Sequence, residues 1–325
     1  MREKGKSAMN ERECARFLSE RDGFLLITHR SPDGDTVGSA AALCLALRSI
    51  GKRASLLANA QITARYAELA EGLTVTEAEG LLPVFVDVAA PDMCQSEAEG
   101  LSPALVIDHH AGERFAGVPS LRDATAAAAG EIVFRLLAPL GVKLTEEIAR
   151  RLYVAIATDT GCFRYGNTTA ETHRIASELL SFDIGMEGLN RALFEVRSRT
   201  AIAVEREALN GMRFYGEGRI AVISLSAEMR TRLCVQEDDV DAISSLPRTV
   251  EGVDVGVTLK EQPTVPGEWK ISLRTTPAAD ASAICATFGG GGHARAAGCL
   301  LHGSAEEVEA QVIAACLAAL GGEGV

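Results

Sequence analysis

Six side chains carry most of the chemistry this sequence offers: His29, Asp33, Asp35, Asp87, His109 and Asp159. Three of them lie in FLLITHRSPDGDTVGS, residues 24–39, where an apolar run ends at His29 and two aspartates follow. Two carboxylates and an imidazole crowded into one loop would repel or desolvate one another unless a cation joined them. Asp87 closes PVFVDV (83–88), Asp108, His109 and His110 close ALVIDHH (104–110), and Asp159 heads Asp159-Thr160-Gly161. Oxygen donors with some imidazole and no thiolate favour manganese or magnesium over structural zinc. Four carboxylate charges match two divalent cations that share one bridging aspartate. Two such ions ~3.5–4 Å apart stabilise the attacking and departing oxygens of a phosphoryl displacement, and a bridging water deprotonated near neutral pH is the expected nucleophile.

These residues need elements that bring them to one place. Apolar runs bounded by turn residues predict strands over 24–29, 53–57, 83–88 and 104–110. Helical patterns cover 11–22, 36–50, 61–71, 125–138 and 145–158, and Thr169 is expected to cap a helix reaching about Leu180. Strands alternating with helices predict an α/β fold with a parallel sheet, which binds ligands at the carboxyl ends of its strands. Residues 187–210 are polar and helix-forming, and predict a connecting helix. Beyond it, strands over 219–225, 252–260, 268–274 and 299–301 mix with helices over 237–246, 279–288 and 304–320. That order predicts a smaller α+β domain with a mixed sheet. The domain boundaries are therefore 1–186 (catalytic, metal-binding), 187–210 (connecting helix) and 211–325 (substrate-binding).

Composition narrows the function further. No apolar run approaches the roughly 18 residues that span a bilayer, and MREKGKSAMNERE lacks the apolar core of an export signal. Eight cysteines without a Cys-x-x-Cys pair read as reduced thiols in a cytoplasmic protein. The net charge is −12 and acidic side chains outnumber basic ones in both halves, so the chain has no electrostatic footprint for long nucleic acid. A small anionic substrate, caught locally by metals and a few donors, is the expectation. No membrane partner is expected, and a homodimer is admitted.

His29-x-x-x-Asp33-x-Asp35, Asp87, Asp108-His109-His110 and Asp159-Thr160-Gly161 resemble the four motifs of the DHH phosphoesterases. The tail Gly289-Gly-Gly-Gly-His293-x-x-Ala-Ala-Gly298 is similar to the glycine-rich motif of their DHH-associated C-terminal domain. The chain most resembles the compact branch acting on short oligoribonucleotides (nanoRNA), linear dinucleotides such as pApA, and 3′-phosphoadenosine 5′-phosphate. The resemblance implies an oligoribonuclease and phosphomonoesterase that releases nucleoside 5′-monophosphates, with manganese first and magnesium or cobalt as alternatives. It implies that His29 and Asp33 hold one ion, that Asp35, His109 and Asp159 hold the other, and that Asp87 bridges. It gives His110 to the substrate phosphate and makes Asp108 the group orienting a histidine. Two departures from the family stand out. Ala111–Arg114 replace a stretch where many relatives carry an asparagine, and Ala126–Ala129 replace small hydroxyl residues.

In the second domain Arg274 ends a predicted strand, in KISLRTT, shortly before Gly290, Gly291, Gly292 and His293. Glycines can turn successive N–H groups into an anion nest, and arginine adds a bidentate fork. Together they predict a clamp on the terminal phosphate of the substrate, with the active site in a cleft between the domains. Arg164, just past Asp159, is a further candidate for phosphate. Two other functions compete. A family II pyrophosphatase shares the N-terminal ligands but needs a lysine-rich clamp, whereas residues 211–325 offer Lys260 and Lys270 alone. A non-catalytic nucleotide-binding regulator would bind without turnover. A RecJ-type exonuclease would need a basic groove that the charge denies.

Overall fold

The four residues of β1, Phe24–Ile27, are all buried. Phe24 and Leu26 join one core and Leu25 and Ile27 another, as the two-residue period of a strand requires. The same alternation divides Val84 and Val86 from Phe85 in β4 (Leu82–Val86), and Leu105 and Ile107 from Val106 in β5 (Leu105–Asp108). Strands covered on both faces read as unbroken apolar runs. These observations come from a computed structural model that describes residues 8–77, 79–110, 115–236, 239–240 and 242–321. The departure noted at 111–114 lies outside the described residues. The chain divides into two units, Met1–Val196 and Arg197–Val325.

In the first unit β2 (Ala54–Leu57), β3 (Thr74–Val75) and β6 (Ser120–Arg122) complete a six-stranded sheet in the order β3-β2-β1-β4-β5-β6. Every neighbouring pair is parallel. The order reverses between β1 and β4, and at such a switch point the flanking loops diverge and leave a crevice at the carboxyl ends. Helices α1 (Glu11–Ser19), α2 (Gly34–Ser49), α3 (Ala129–Leu137), α4 (Glu146–Asp159) and α5 (Ala170–Leu179) share the larger core with one face of the sheet. α2 packs against α4 at very short range. A Cβ on Gly38 would stand 2.6 Å from the Arg151 carbonyl oxygen, a distance that excludes any side chain.

Three expectations change here. The helix expected over 61–71 is reduced to a 3-10 turn at Ala67–Ala70. Asn59 Oδ1 accepts the Gln61 N–H and starts a local turn that competes with helix. The single helix expected over 187–210 is interrupted: α6 (Met186–Asn190) passes into a wide turn at Arg191–Glu195, and α7 (Arg199–Asn210) restarts after Ser198. Ser198 Oγ accepts from Ala201 N, so a strong cap sits inside the stretch and defines a new helix start. Of the helix expected over 237–246, the described portion holds a 3-10 turn at Ala242–Ser245, while residues 237, 238 and 241 lie outside the described set.

The second unit holds β7 (Arg213–Tyr215), β8 (Ile220–Leu225), β9 (Val255–Glu261), β10 (Glu268–Thr275), β11 (Gly291–His293) and β12 (Ala296–His302). They form one sheet ordered β11-β12-β10-β9-β8-β7. It is mixed, because β8 and β9 are parallel while the other pairs are antiparallel. The short helices α8 (Ala227–Arg232) and α9 (Ala281–Ala286) and the longer α10 (Ala305–Ala319) complete the unit. α9 and α10 share a core with Ile271, Leu273 and Trp269 of β10. α7 packs Val204 and Ala208 against Ile223 and Leu225 of β8.

Candidate metal centre

The six residues read from the sequence meet at the switch point of the first sheet, although not all from strand ends. Asp87 and His109 follow β4 and β5 directly, and His29 follows β1 after Thr28. Asp33 is the N-cap of α2, accepting from the backbone N–H of Asp35 at 3.0 Å and of Thr36 at 3.1 Å, so the helix starts two residues before the expected Thr36. Asp35 stands in its first turn and Asp159 is the last residue of α4. Thr36 Oγ1 donates to the Val86 carbonyl at 2.9 Å and ties this helix start to the end of β4.

Asp87 is the shared member. His29 Nε2 lies 3.6 Å from Asp33 Oδ1 and 3.6 Å from Asp87 Oδ2, while His109 Nε2 lies 3.5 Å from Asp87 Oδ1. His109 Nε2 is also 3.8 Å from Asp35 Oδ2 and 3.7 Å from Asp159 Oδ2. The donor atoms of His29, Asp33 and Asp87 fall within 4.8 Å of one another, and so do those of Asp35, His109 and Asp159. A third grouping joins Asp87, His109 and His110. In it, His110 Nδ1 is already engaged by Asp108 Oδ1 at 2.9 Å.

The protein holds its donors in place from behind. His109 Nδ1 donates to the Ala126 carbonyl at 3.2 Å, which turns Nε2 toward the carboxylates. Asp35 accepts from Ala129 N at 2.7 Å, Gly130 N at 3.0 Å and Ser39 Oγ at 2.8 Å. Thus the alanine stretch that replaces the family's hydroxyl residues acts through its backbone. Ser39 and the amino end of α3 are supports that a residue-type reading misses, because a main-chain N–H leaves no signature in sequence. Asp108 is fully buried and accepts from both Nδ1 and the main-chain N–H of His110, with Arg122 Nη1 3.5 Å away. Burial acts to raise its carboxyl, but the His110 hydrogen bond and charge and the Arg122 guanidinium hold it below the usual range.

Carboxylate charge accumulates in this crevice. Burial first, then Asp35, Asp33 and Asp159, push the Asp87 carboxyl well above the carboxylate range. Burial and the same neighbouring carboxylates, Asp35 foremost, do likewise for Asp159, and burial with Asp33 raises Asp35 against the pull of His109. Asp87 Oδ1 is buried and has no hydrogen-bond partner among the described residues, and the residue holds a left-handed φ of 60° that a non-glycine seldom adopts. An orphaned carboxylate oxygen, a strained backbone and clustered acids fit divalent cations, which supply the missing charge and ligand demand.

A model of the DHH family, N-terminal domain, matches residues 24–156, a span that includes five of the six residues. The chain is 33% identical over 298 residues to the bifunctional oligoribonuclease and PAP phosphatase NrnA of Thermus thermophilus, covering 90% of this chain and 88% of that protein. This chain belongs to the DHH family. Among solved structures, an exopolyphosphatase-related protein from Bacteroides fragilis superposes with a TM-score of 0.79 at 26% identity, covering 96% of this chain and 95% of that one. RecJ from Thermus thermophilus in complex with Mn2+ shares the fold, with a TM-score of 0.56 at 16% identity over 94% of this chain and 54% of its own.

Outside the DHH crevice the remaining candidates are distributed as follows. Arg164 is exposed, and its Nε donates to Gly161 O at 2.6 Å in the loop that follows Asp159. In the second unit Arg274 pairs with Ala296, which pairs in turn with His293, so the three form one row across β10, β12 and β11. Residues in register on neighbouring strands share a face. This puts Arg274 and His293 on one side of the sheet, two strands or roughly 10 Å apart. The glycine run differs from the expected nest. Gly290 N donates to Cys285 O, and Gly291 and Gly292 belong to β11, so their N–H groups do not form one concavity. Close approach calls for glycine at two of the four positions, since a Cβ on Gly290 would stand 2.3 Å from Gly298 O and one on Gly292 2.6 Å from Ala296 O, while Gly289 and Gly292 also hold positive φ.

Proposed function

We propose that this phosphoesterase hydrolyses short oligoribonucleotides, including linear dinucleotides such as pApA, and 3′-phosphoadenosine 5′-phosphate, releasing nucleoside 5′-monophosphates. The observation that supports it best is the place of Asp87, which groups with His29 and Asp33 and whose other oxygen stands 3.5 Å from His109 of the Asp35–His109–Asp159 group. Two divalent ions, manganese foremost, would supply Lewis-acid stabilisation of the phosphoryl oxygens and a nucleophile at neutral pH. His29 and Asp33 would hold one, Asp35, His109 and Asp159 the other, with Asp87 common to both.

The chain's own residues do the rest. Asp108 fixes the His110 ring through Nδ1 and so sets how that ring is turned toward a substrate phosphate. The His110 hydrogen bond and Arg122 hold the Asp108 carboxyl below its usual range, which keeps it an acceptor for that bond. Arg274 and His293, on one face of the second sheet, are suited to a terminal phosphate of the substrate, with Arg164 as a further donor. The substrates named for the Thermus relative support the choice of short RNA and the bisphosphate.

The test is a side-by-side assay of purified protein with Mn2+ on pApA, a 24-residue RNA, 3′-phosphoadenosine 5′-phosphate and pyrophosphate. Turnover of the dinucleotide and the bisphosphate well above the long RNA and pyrophosphate is expected. Preferential cleavage of pyrophosphate, or binding without turnover of any of the four, overturns the proposal.

A further inference from the structure

The turn from Ala126 to Gly130 bonds two members of one donor group directly and reaches the third through Asn167. Its carbonyl at Ala126 accepts from His109, and its N–H groups at Ala129 and Gly130 donate to Asp35. The third contact is indirect: Asn167 Nδ2 donates to Ala127 O at 2.9 Å and to the Asp159 carbonyl at 3.1 Å. Glu131 closes the turn from below, its Oε2 accepting from Ala127 N at 3.2 Å.

Glu131 is an expensive residue for that place. It is 1% exposed, and its other oxygen, Oε1, is buried with no hydrogen-bond partner among the described residues. A buried carboxyl with half its acceptors unmet costs free energy that an apolar side chain of similar volume would not. Packing alone therefore does not account for it, whereas fixing the Ala127 N–H does. The His29–Asp33 group is supported differently, by the α2 cap and by Asn59 Nδ2, which donates to His29 O at 3.0 Å.

We propose that Glu131 and Asn167 are positioning residues that hold the 126–130 turn and thereby set the cation affinity of the Asp35–His109–Asp159 group alone. This inference rests on the two-cation reading above. Losing a partner that orients a metal ligand commonly lowers affinity about 10–100-fold.

The experiment is a titration of the full chain with Mn2+, counting free ion by its electron paramagnetic resonance signal. Two binding events are expected for the natural sequence. Glu131→Ala and Asn167→Ala should each weaken the same event by about 10–100-fold and leave the other in place. Glu131→Gln, which keeps an acceptor for Ala127 N, should recover most of the loss. Asp33→Asn should remove the event that those variants spare. If Glu131→Ala does not fold, Asn167→Ala, whose side chain is at the surface, carries the test. Both events unchanged, both weakened alike, or no recovery by glutamine would overturn the inference. Fewer than two events in the natural sequence would overturn the two-cation reading, and this inference with it.

Discussion

Asp87 is almost completely buried, carries a left-handed backbone, keeps one oxygen without a partner among the described residues and feels four other carboxylates, Asp35, Asp33, Asp159 and Asp108. Each feature disfavours the metal-free fold, and each would be relieved by the two cations of the proposed function. Asp87→Asn keeps the shape and removes the charge. It should raise the melting temperature of the metal-free protein, abolish the rise that Mn2+ produces, and lower hydrolysis by about 10²-fold or more, the loss of several kcal/mol of stabilisation. A lowered metal-free melting temperature with normal turnover would contradict this role. The raised carboxyls of Asp35, Asp87 and Asp159 also fix a pH trend. In the metal-free fold they keep protons that the unfolded chain has already released, so the native state binds more protons and stability falls as pH rises. Thermal melts of chelated protein should therefore decline from the ordinary carboxylate range upward through the raised values. The gain from Mn2+ should grow over the same interval. A Mn2+ gain that shrinks as pH rises would contradict the shifts.

The elements place these residues through close packing, and α2 is the one most constrained. Arg151 O of α4 would stand 2.6 Å from a Cβ at Gly38, so Gly38→Ala forces the two helices apart. A loss of about 1–3 kcal/mol, read by denaturant melts, is expected from such overpacking. Weakened Mn2+ binding should accompany it, because α2 carries Asp33 and Asp35 at its start. Much at this scale was legible in the sequence. β1, β4 and β5 are apolar on both faces, so each appears as an unbroken run with a polar donor at its end, and that pattern marked His29, Asp87 and His109. The strands β3, β6 and β7, of two or three residues, are too short for any period to show. Two helix expectations failed where side chains bond the nearby backbone: Asn59 starts a turn before 61–71, and Ser198 caps a new helix within 187–210. The glycine run misled for a related reason. A nest needs successive N–H groups in one turn, whereas Gly291 and Gly292 pair with β12, and a Cβ at Gly290 or Gly292 would collide with that strand. Backbone supports such as Ala129 N and Ala126 O could not be read at all, since every residue type has them.

For the whole molecule, a net charge of −12 leaves substrate capture to a few placed groups. Binding of pApA to the metal-loaded protein should then depend weakly on salt, with a log–log slope of magnitude about 1–2, as expected for two or three single-strand phosphate contacts. A slope near 5 or beyond would indicate an extended basic surface that the sequence does not contain. In the second unit Arg274 is in register with His293, and under the proposed terminal-phosphate clamp Arg274→Ala should raise KM for 5′-phosphorylated dinucleotides about tenfold or more, the loss of a charged hydrogen bond. A generic aryl phosphodiester should be hydrolysed almost as before; equal losses on both substrates would argue against a terminal-phosphate clamp. Across the described residues no helix is long and apolar enough to cross a membrane.

The central claim, that paired dications gather donors from separate loops and helix ends of one sheet, is tested most directly by anomalous diffraction from crystals grown with Mn2+. Two anomalous peaks are predicted, one against His29 and Asp33, the other against Asp35, His109 and Asp159, with Asp87 touching both. No peak in this crevice, or a single ion that leaves Asp87 uncoordinated, would contradict the account.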